Sequence, residues 1–277
     1  MNILVIGSNS FLAKEIKNFF NNHNFKYINR NDLDLDNKLS VNNYFSKNTY
    51  DIIINTCVVG GKRDITDNYN ILVSNLNMFN NLLDNKNKFG YLFNFCSGAA
   101  FDRRLEISNI SEIEIFNRNP IDYYGLSKNI IARESINHKK IYNFRIFGCF
   151  GLYESSNRFI TNSLNNIKNN KSIIINKEKK IDFVSAYDLC LVLEYYINNI
   201  EKELFKDINI VYKNKYFLSD IAKKIIDYTN SENHATMLNN SIDKEYTGSS
   251  QLIDQLPIRF KGLEQSLKEI INVKLRE

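Results

Sequence analysis

Five short apolar runs, separated by stretches of helical periodicity, fill the first 150 residues and leave few folds open to this chain. The runs lie at 3–6, 26–29, 51–55, 91–96 and 143–147, and the helical stretches at 10–22, 41–46, 67–83 and 124–137. Strands that are apolar without alternation are buried on both faces. Set between helices, they predict an α/β fold: a doubly wound parallel sheet with helices on either side. Ligands of such sheets bind at the carboxyl ends of the strands, so the residues that follow each run carry the functional reading.

Beyond Gly151 the pattern loosens. Helices are expected at 158–169, 186–198, 218–228 and 263–271, and strands at 172–175 and 208–211. The polar stretch 231–255 reads as an irregular, mobile loop. Pro120 and Pro257 are the only prolines, and no repeat or linker interrupts the chain. The expected division is 1–152 as a dinucleotide-binding domain, with 182–204 returning to it, and 153–277 as a smaller α/β substrate-binding lobe.

The first run leads into Gly7-Ser8-Asn9-Ser10-Phe11-Leu12-Ala13. Gly7 permits a tight turn, and the helix that opens there points its free N–H groups at a pyrophosphate. Ala13 is small enough for close helix–strand packing. Ser10 stands where a second glycine is common; its Cβ narrows the approach, and its hydroxyl offers a phosphate a donor. The second run ends at Asn29-Arg30, where an acidic residue would favour NAD. Arg30 favours a 2′-phosphate, hence NADP(H), with NAD(H) as the other possibility; a solvated arginine at a strand end is the plain alternative.

Tyr124 and Lys128 lie four residues apart in an expected helix, one turn from each other on one face. An ammonium there lowers a phenol's pKa and fits Tyr124 for proton transfer near neutral pH. Taken alone, this spacing also arises by chance on surface helices.

Composition narrows the partners. A net charge of +5, spread along the chain, suits small anions and gives no concentrated basic face for nucleic acid. Cys57, Cys96, Cys149 and Cys190 are far apart, with no Cys-x-x-Cys and no clustered histidine, so no metal site is expected. They read as buried free thiols in a reducing compartment. His23, His138 and His234 fall on polar segments and read as surface residues. The apolar start at 3–6 is too short for a signal peptide or a membrane span. A soluble, cytoplasmic protein without membrane contact is expected. The abundance of asparagine reads as compositional drift.

With these residues in place, the chain resembles the extended short-chain dehydrogenase/reductases (the NAD-dependent epimerase/dehydratase family) that act on nucleotide-activated sugars. The resemblance runs over nearly the whole sequence. It is carried by the Gly7 loop, Asp34-Leu35, the run from Asn55 through Cys57, Val58 and Val59 to Gly60-Gly61, and Asn75. It continues through Cys96-Ser97, Tyr124 and Lys128, the run Arg145-Ile146-Phe147-Gly148-Cys149-Phe150-Gly151, and then Asp182-Phe183-Val184 and Asp188. Within the family it is nearest the GDP-L-fucose synthase and CDP-paratose synthase type of 4-ketoreductase.

The resemblance implies a Rossmann fold and assigns roles. Ser97 would hydrogen-bond the reacting oxygen, Tyr124 would give it a proton, and Lys128 would hold the nicotinamide ribose. Gly7, Ser8, Ser10, Phe11, Leu12, Arg30, Asp34, Leu35, Cys57, Val58, Asn75 and Phe147 would complete the cofactor site. Val59, Ser97, Gly98, Phe150, Arg158 and Lys180 would meet the nucleotide-sugar substrate. Helices at 67–83 and 124–138 would pair across a twofold axis as a four-helix bundle, giving a homodimer.

Three departures from the family pattern bear on function. Gly148 replaces a common Asn. Ile181 replaces an Arg that contacts the diphosphate, leaving Lys179, Lys180 or Arg158 to take over. Gly98 and Ala99 replace the acidic pair of the 4,6-dehydratases, and neither the cysteine nor the histidine that fucose synthases use for epimerisation is present near Ala99 or at 157–159. The expected activity is NADPH-dependent reduction of a 4-keto nucleotide deoxysugar for surface polysaccharide. A 4-epimerase with tightly bound NAD needs the same three residues and stays open, as does a non-catalytic dinucleotide-binding sensor.

Overall fold

The computed structural model describes residues 1–20, 24–61, 66–239 and 241–275; His23 and the end of the helix expected at 10–22 lie outside them. In chain order, β1 (Asn2–Ile6), α1 (Phe11–Phe19), β2 (Asn24–Ile28), α2 (Lys38–Lys47), β3 (Tyr50–Asn55), α3 (Tyr69–Asp84) and β4 (Phe89–Ser97) come first. A 3-10 turn (Gly98–Ala100), β5 (Ile107–Ile110) and a second 3-10 turn (Glu112–Phe116) lead to α4 (Tyr123–Ile136) and β6 (Ile141–Ile146). Next are β7 (Cys149–Phe150), α5 (Phe159–Lys168), β8 (Ile173–Ile175), β9 (Lys180–Ile181), β10 (Val184–Ser185) and α6 (Ala186–Asn198). The last elements are β11 (Asp207–Ile210), β12 (Tyr216–Phe217), α7 (Leu218–Thr229), β13 (Ala235–Met237), β14 (Tyr246–Gly248) and α8 (Gly262–Lys274).

Contacts divide the chain into two units. The first comprises Met1–Arg104, Glu112–Arg145 and Phe205–Ile208, the second Leu105–Ser111, Ile146–Leu204 and Asn209–Glu277. Residues 182–204 group with the second unit, whereas the sequence reading returned them to the first.

The first unit is built on a six-stranded sheet ordered β11-β6-β4-β3-β1-β2. The pairs β1–β2, β1–β3 and β3–β4 are parallel and in continuous register. Ile3, Leu4, Val5 and Ile6 are all fully buried, as are Ile52, Ile53 and Ile54, which is why these strands carry no alternation. The chain steps from β1 to β2 and then crosses to β3 on the other side of β1. The carboxyl ends of β1 and β3 therefore flank the topological switch point, where this class of sheet binds ligands. Some of the asparagine is structural. Asn55, Asn94 and Asn143 form a buried row across β3, β4 and β6, joined by Asn55 Nδ2→Asn94 Oδ1 (3.5 Å) and Asn94 Nδ2→Asn143 Oδ1 (2.9 Å).

In the second unit, four strands run in the order β12-β9-β14-β5. Phe150, Phe159, Ile160, Leu164, Ile221, Leu263 and Leu267 share its core. The stretch 231–255 corrects the sequence reading. It contains β13 and β14, and β14 pairs with both β5 and β9 while Tyr246, Thr247 and Gly248 are buried. Three residues are too few for periodicity to reveal, and β14 gains its burial from partners distant in the chain.

Candidate active site

Gly7 ends β1 at φ +93°, a region open to glycine. A Cβ there would stand 2.7 Å from Thr56 Oγ1 and 2.9 Å from Cys57 Sγ, so the turn can form only without a side chain. Ser10 is the N-cap of α1. Its oxygen accepts the Ala13 N–H (3.1 Å) and lies 2.8 Å from Thr56 Oγ1. The Thr56 hydroxyl also lies within hydrogen-bond distance of Ile6 O (2.8 Å) and Gly7 O (3.1 Å). Ser10 thus caps the helix and ties β1 to β3 at the edge of the cleft. The Ser8 N–H likewise goes to Ile28 O (2.9 Å). What remains at the helix start is the N–H of Phe11 and of Leu12, for which no acceptor exists among the described residues.

A cleft of about 290 Å³ opens beside this turn, lined by Gly7, Asn9, Ser10, Arg30, Asp34, Leu35, Cys57, Val58 and Val59, with Asn29, Leu33, Asp36, Thr56 and Met78. The sequence reading gave no role to Asn9, Asn29, Leu33, Asp36, Thr56 or Met78. Only Thr56 had a signal, a hydroxyl residue directly after β3. The Arg30 guanidinium is three-quarters exposed and sits 3.1 Å from Asp34. Cys57 is partly buried, and burial pushes its thiol up to about 11, so it faces the cleft as a neutral S–H group.

Tyr124 and Lys128 stand on α4, capped by Asp122, whose carboxylate accepts the Gly125 N–H (2.7 Å). Lys128 is buried and gives one proton to the Phe95 carbonyl (2.8 Å). Burial holds its pKa below the usual lysine value, opposed by the nearby Cys96 and Cys57. Its other two protons have no acceptor among the described residues. Gly61, at φ +69°, lays its backbone against the Tyr124 ring: a Cβ there would come 2.8 Å from Cζ. Asn75 braces the same loop. It accepts the Val59 N–H (2.9 Å) and donates to Val59 O and Ser127 Oγ (3.0 Å each), and Ser127 in turn donates to Tyr124 O (2.7 Å). Both protons of the Asn75 amide are used in joining the cleft wall to the Tyr124 helix, so it supports the cofactor side through Val59.

Ser97 ends β4 and starts the Gly98–Ala100 turn, its oxygen accepting the Ala99 N–H (3.1 Å). Its own proton has no acceptor among the described residues and is free to be donated. Helix α4 packs on this turn through Gly125, where a Cβ would meet Ala99 O at 2.5 Å. Gly125 thereby brings the helix that carries Tyr124 against the turn that carries Ser97. The sequence reading gave Gly125 no role, because a glycine reveals a close approach only once its neighbour is known.

The second unit holds the remaining expected residues. Phe147 is buried, edge-on to Tyr246 and close against Gly248. Phe150, expected at the substrate, is fully buried in the core and is a packing residue. Arg158 is exposed at the start of α5. Lys180 is one-third exposed, 3.9 Å from Glu245. Beside Ile181, Asp182 is buried and receives Lys215 Nζ on both oxygens (2.8 Å each) and the Gly248 N–H (2.8 Å). A Cβ on Gly148 would stand 2.5 Å from Asp182 O, which accounts for glycine in place of Asn. Asp188 accepts the N–H groups of Lys261 and Gly262 (2.9 Å each) and so organises the start of α8. His138 pairs with Glu134 and His234 is exposed near Ser172. No group of His, Cys, Asp and Glu suited to a metal ion occurs among the described residues, and none of their helices is long and apolar enough to cross a membrane.

The residues fit a dinucleotide. A Cβ-intolerant turn at the switch point, two unclaimed N–H groups on a helix start and a buried ammonium with two unclaimed protons match a pyrophosphate and a ribose diol. The parallel sheet, this turn and the Tyr-x-x-x-Lys helix are those of a Rossmann-type short-chain dehydrogenase/reductase fold. The model of the NAD dependent epimerase/dehydratase family matches residues 3–210, and the chain belongs to that family. No curated protein sequence matches it. Among solved structures it is similar to the GDP-mannoheptose C4 reductase of Campylobacter jejuni with NADP bound (TM-score 0.83, 17% identity, 99% of this chain and 98% of that one). It is also similar to a dTDP-4-dehydrorhamnose reductase of Clostridium acetobutylicum (0.79, 20%, 99% of each). A third is a GDP-L-fucose synthetase of Naegleria fowleri bound to NADP (0.78, 17%, 99% and 92%). At these identities the shared property is the fold.

Proposed function

We propose that this chain is an NADPH-dependent reductase of the 4-keto group of a GDP-, CDP- or dTDP-linked deoxysugar, acting in the cytoplasm in surface polysaccharide synthesis. The observation that carries the reading is the Ser97 turn packed on the Tyr124 helix, with Gly98 and Ala99 beside the serine and neither an acid nor a base among them. Structures named as nucleotide-sugar reductases, some solved with NADP, support it by their fold.

The cofactor would lie with its pyrophosphate on Phe11 and Leu12 N–H, its 2′-phosphate near Arg30 and its nicotinamide ribose on Lys128. Hydride is the chemistry it supplies when bound. Ser97 donates a hydrogen bond to the substrate oxygen, and Tyr124 gives that oxygen its proton. Lys128, kept from water by burial, aligns the ribose and Tyr124. Gly98 and Ala99, which follow Ser97, cannot remove a carbon-bound proton, and on this reading the sugar's other centres keep their configuration.

The test is loss of reduced-nicotinamide absorbance with a panel of GDP-, CDP-, dTDP- and UDP-linked 4-keto-6-deoxysugars; no turnover of any sinks the proposal. Tyr124→Phe is expected to cut kcat by about a hundredfold or more while NADPH binding, read by fluorescence titration, stays unchanged. One observation favours a second reading, a 4-epimerase with bound NAD: Asp34 already engages Arg30. Purified protein that retains NAD and does not consume NADPH would establish that reading.

A further inference from the structure

We propose that Asn129 is a positioning residue of the reduction step, holding the turn that aims the Ser97 hydroxyl. The proposal rests on the reading of Ser97 as donor to the reacting oxygen. Asn129 follows Lys128 on α4 but faces away from the cofactor cleft, 1% exposed, behind the Gly98–Ala100 turn. Its Nδ2 points at three carbonyls: Ala100 O at 2.9 Å, Ile115 O at 3.2 Å and Arg118 O at 3.4 Å. Its Oδ1 has no partner among the described residues. The opposite amide orientation would set an oxygen against three carbonyl oxygens, so the donor side is fixed by its surroundings.

The bond to Ala100 acts on Ser97 through two steps. The turn closes by Phe101 N–H to Gly98 O (3.1 Å), and within it the Ala99 N–H occupies the Ser97 oxygen (3.1 Å). That bond takes one lone pair of the oxygen and directs the serine's proton away from the Ala99 N–H. Gly125 supplies the close approach from the same helix face, one turn earlier. One turn later, Arg133 grips Ile115 O through Nε (2.9 Å) and Nη2 (2.7 Å). Gly125 and Arg133 bring the segment against α4. Asn129 reaches the carbonyl of the turn itself, and a side chain without a donor would leave that buried carbonyl unpaired.

The test uses the full chain and two readouts. Amide hydrogen exchange in Asn129→Leu is expected to quicken at 97–101 and to stay at wild-type rates in β1. With NADPH and the fastest substrate of the panel, N129L should lose about tenfold in kcat, the worth of one buried hydrogen bond, with KM for NADPH unchanged. In the Ser97→Ala background N129L should cost nothing more. Asn129→Asp, equal in shape, should lose rate at neutral pH and regain it relative to wild type as the pH falls and the carboxyl can again donate to Ala100. Unchanged exchange at 97–101, or a full additional loss in the double variant, overturns the proposal. A Ser97→Ala enzyme as fast as wild type would instead refute the role of Ser97, and the exchange result would still judge the hold on the turn.

Discussion

Arg30 is where cofactor preference turns on a single side chain. Its pair with Asp34 is exposed, and such pairs contribute little, about 0–1 kcal/mol. A 2′-phosphate offers a stronger, doubly charged acceptor, so the guanidinium leaves Asp34 at little cost. Arg30→Ala is expected to raise KM for NADPH by roughly tenfold to a hundredfold, the worth of a charge-assisted hydrogen bond, and to leave KM for NADH unchanged. Equal shifts with both cofactors would mean that Arg30 reads no phosphate. Gly61 makes the complementary case. Its φ of +69° and the Tyr124 ring 2.8 Å from an added Cβ leave no room for a methyl group. Gly61→Ala should lower kcat by displacing the phenol while KM for NADPH holds, because Gly61 is absent from the cleft lining.

At the scale of elements, α5 shows what the sequence displays and what it conceals. A helix was expected at 158–169 and Phe159–Lys168 forms; α6 occupies the expected 186–198. Apolar spacing reveals such helices because it is local. The cap of α5 is not local to its start. Arg158 gives no side-chain cap; instead the buried Glu154 takes the Thr161 hydroxyl (2.7 Å), and Lys274 of α8 donates to the same hydroxyl (2.9 Å). Burial raises the Glu154 pKa from 4.5 to about 7 against the pull of Thr161, Arg158 and Lys274. A carboxyl raised on folding contributes its stability in full below 4.5 and loses it as the pH rises through about 7. The loss is about 3 kcal/mol above pH 7. Glu154→Gln should therefore match wild type in melting temperature at pH 4.5 and exceed it at pH 8.5. A gap independent of pH would exclude this titration.

For the whole molecule, the strands and helices of the first unit could be read because burial on both faces of a parallel sheet leaves a period that survives in sequence. So could the Gly7 turn and the Tyr124/Lys128 pair, whose spacings are short. The contacts that order each unit were hidden, since Gly125 on Ala99, Asn75 on Val59 and Lys215 on Asp182 each join residues that only the fold brings together. Phe150 was misplaced for the same reason: residue type told what it could do, and its neighbours in the core decided what it does. One exposed apolar surface among the described residues would suit a second copy. Helices α3 and α4 pack on each other and leave Tyr69, Tyr123 and Ile130 exposed at 61%, 38% and 39%, with the two tyrosine rings edge-on at 6.0 Å. Two such helix pairs related by a twofold axis would cover these side chains as a four-helix bundle. A homodimer is therefore expected at micromolar concentration by light scattering after size exclusion. Ile130→Glu should shift it to monomer without changing its melting by more than a surface substitution does, about 0.5 kcal/mol. A wild-type chain that elutes as a monomer would leave these helices as outer walls of the sheet alone.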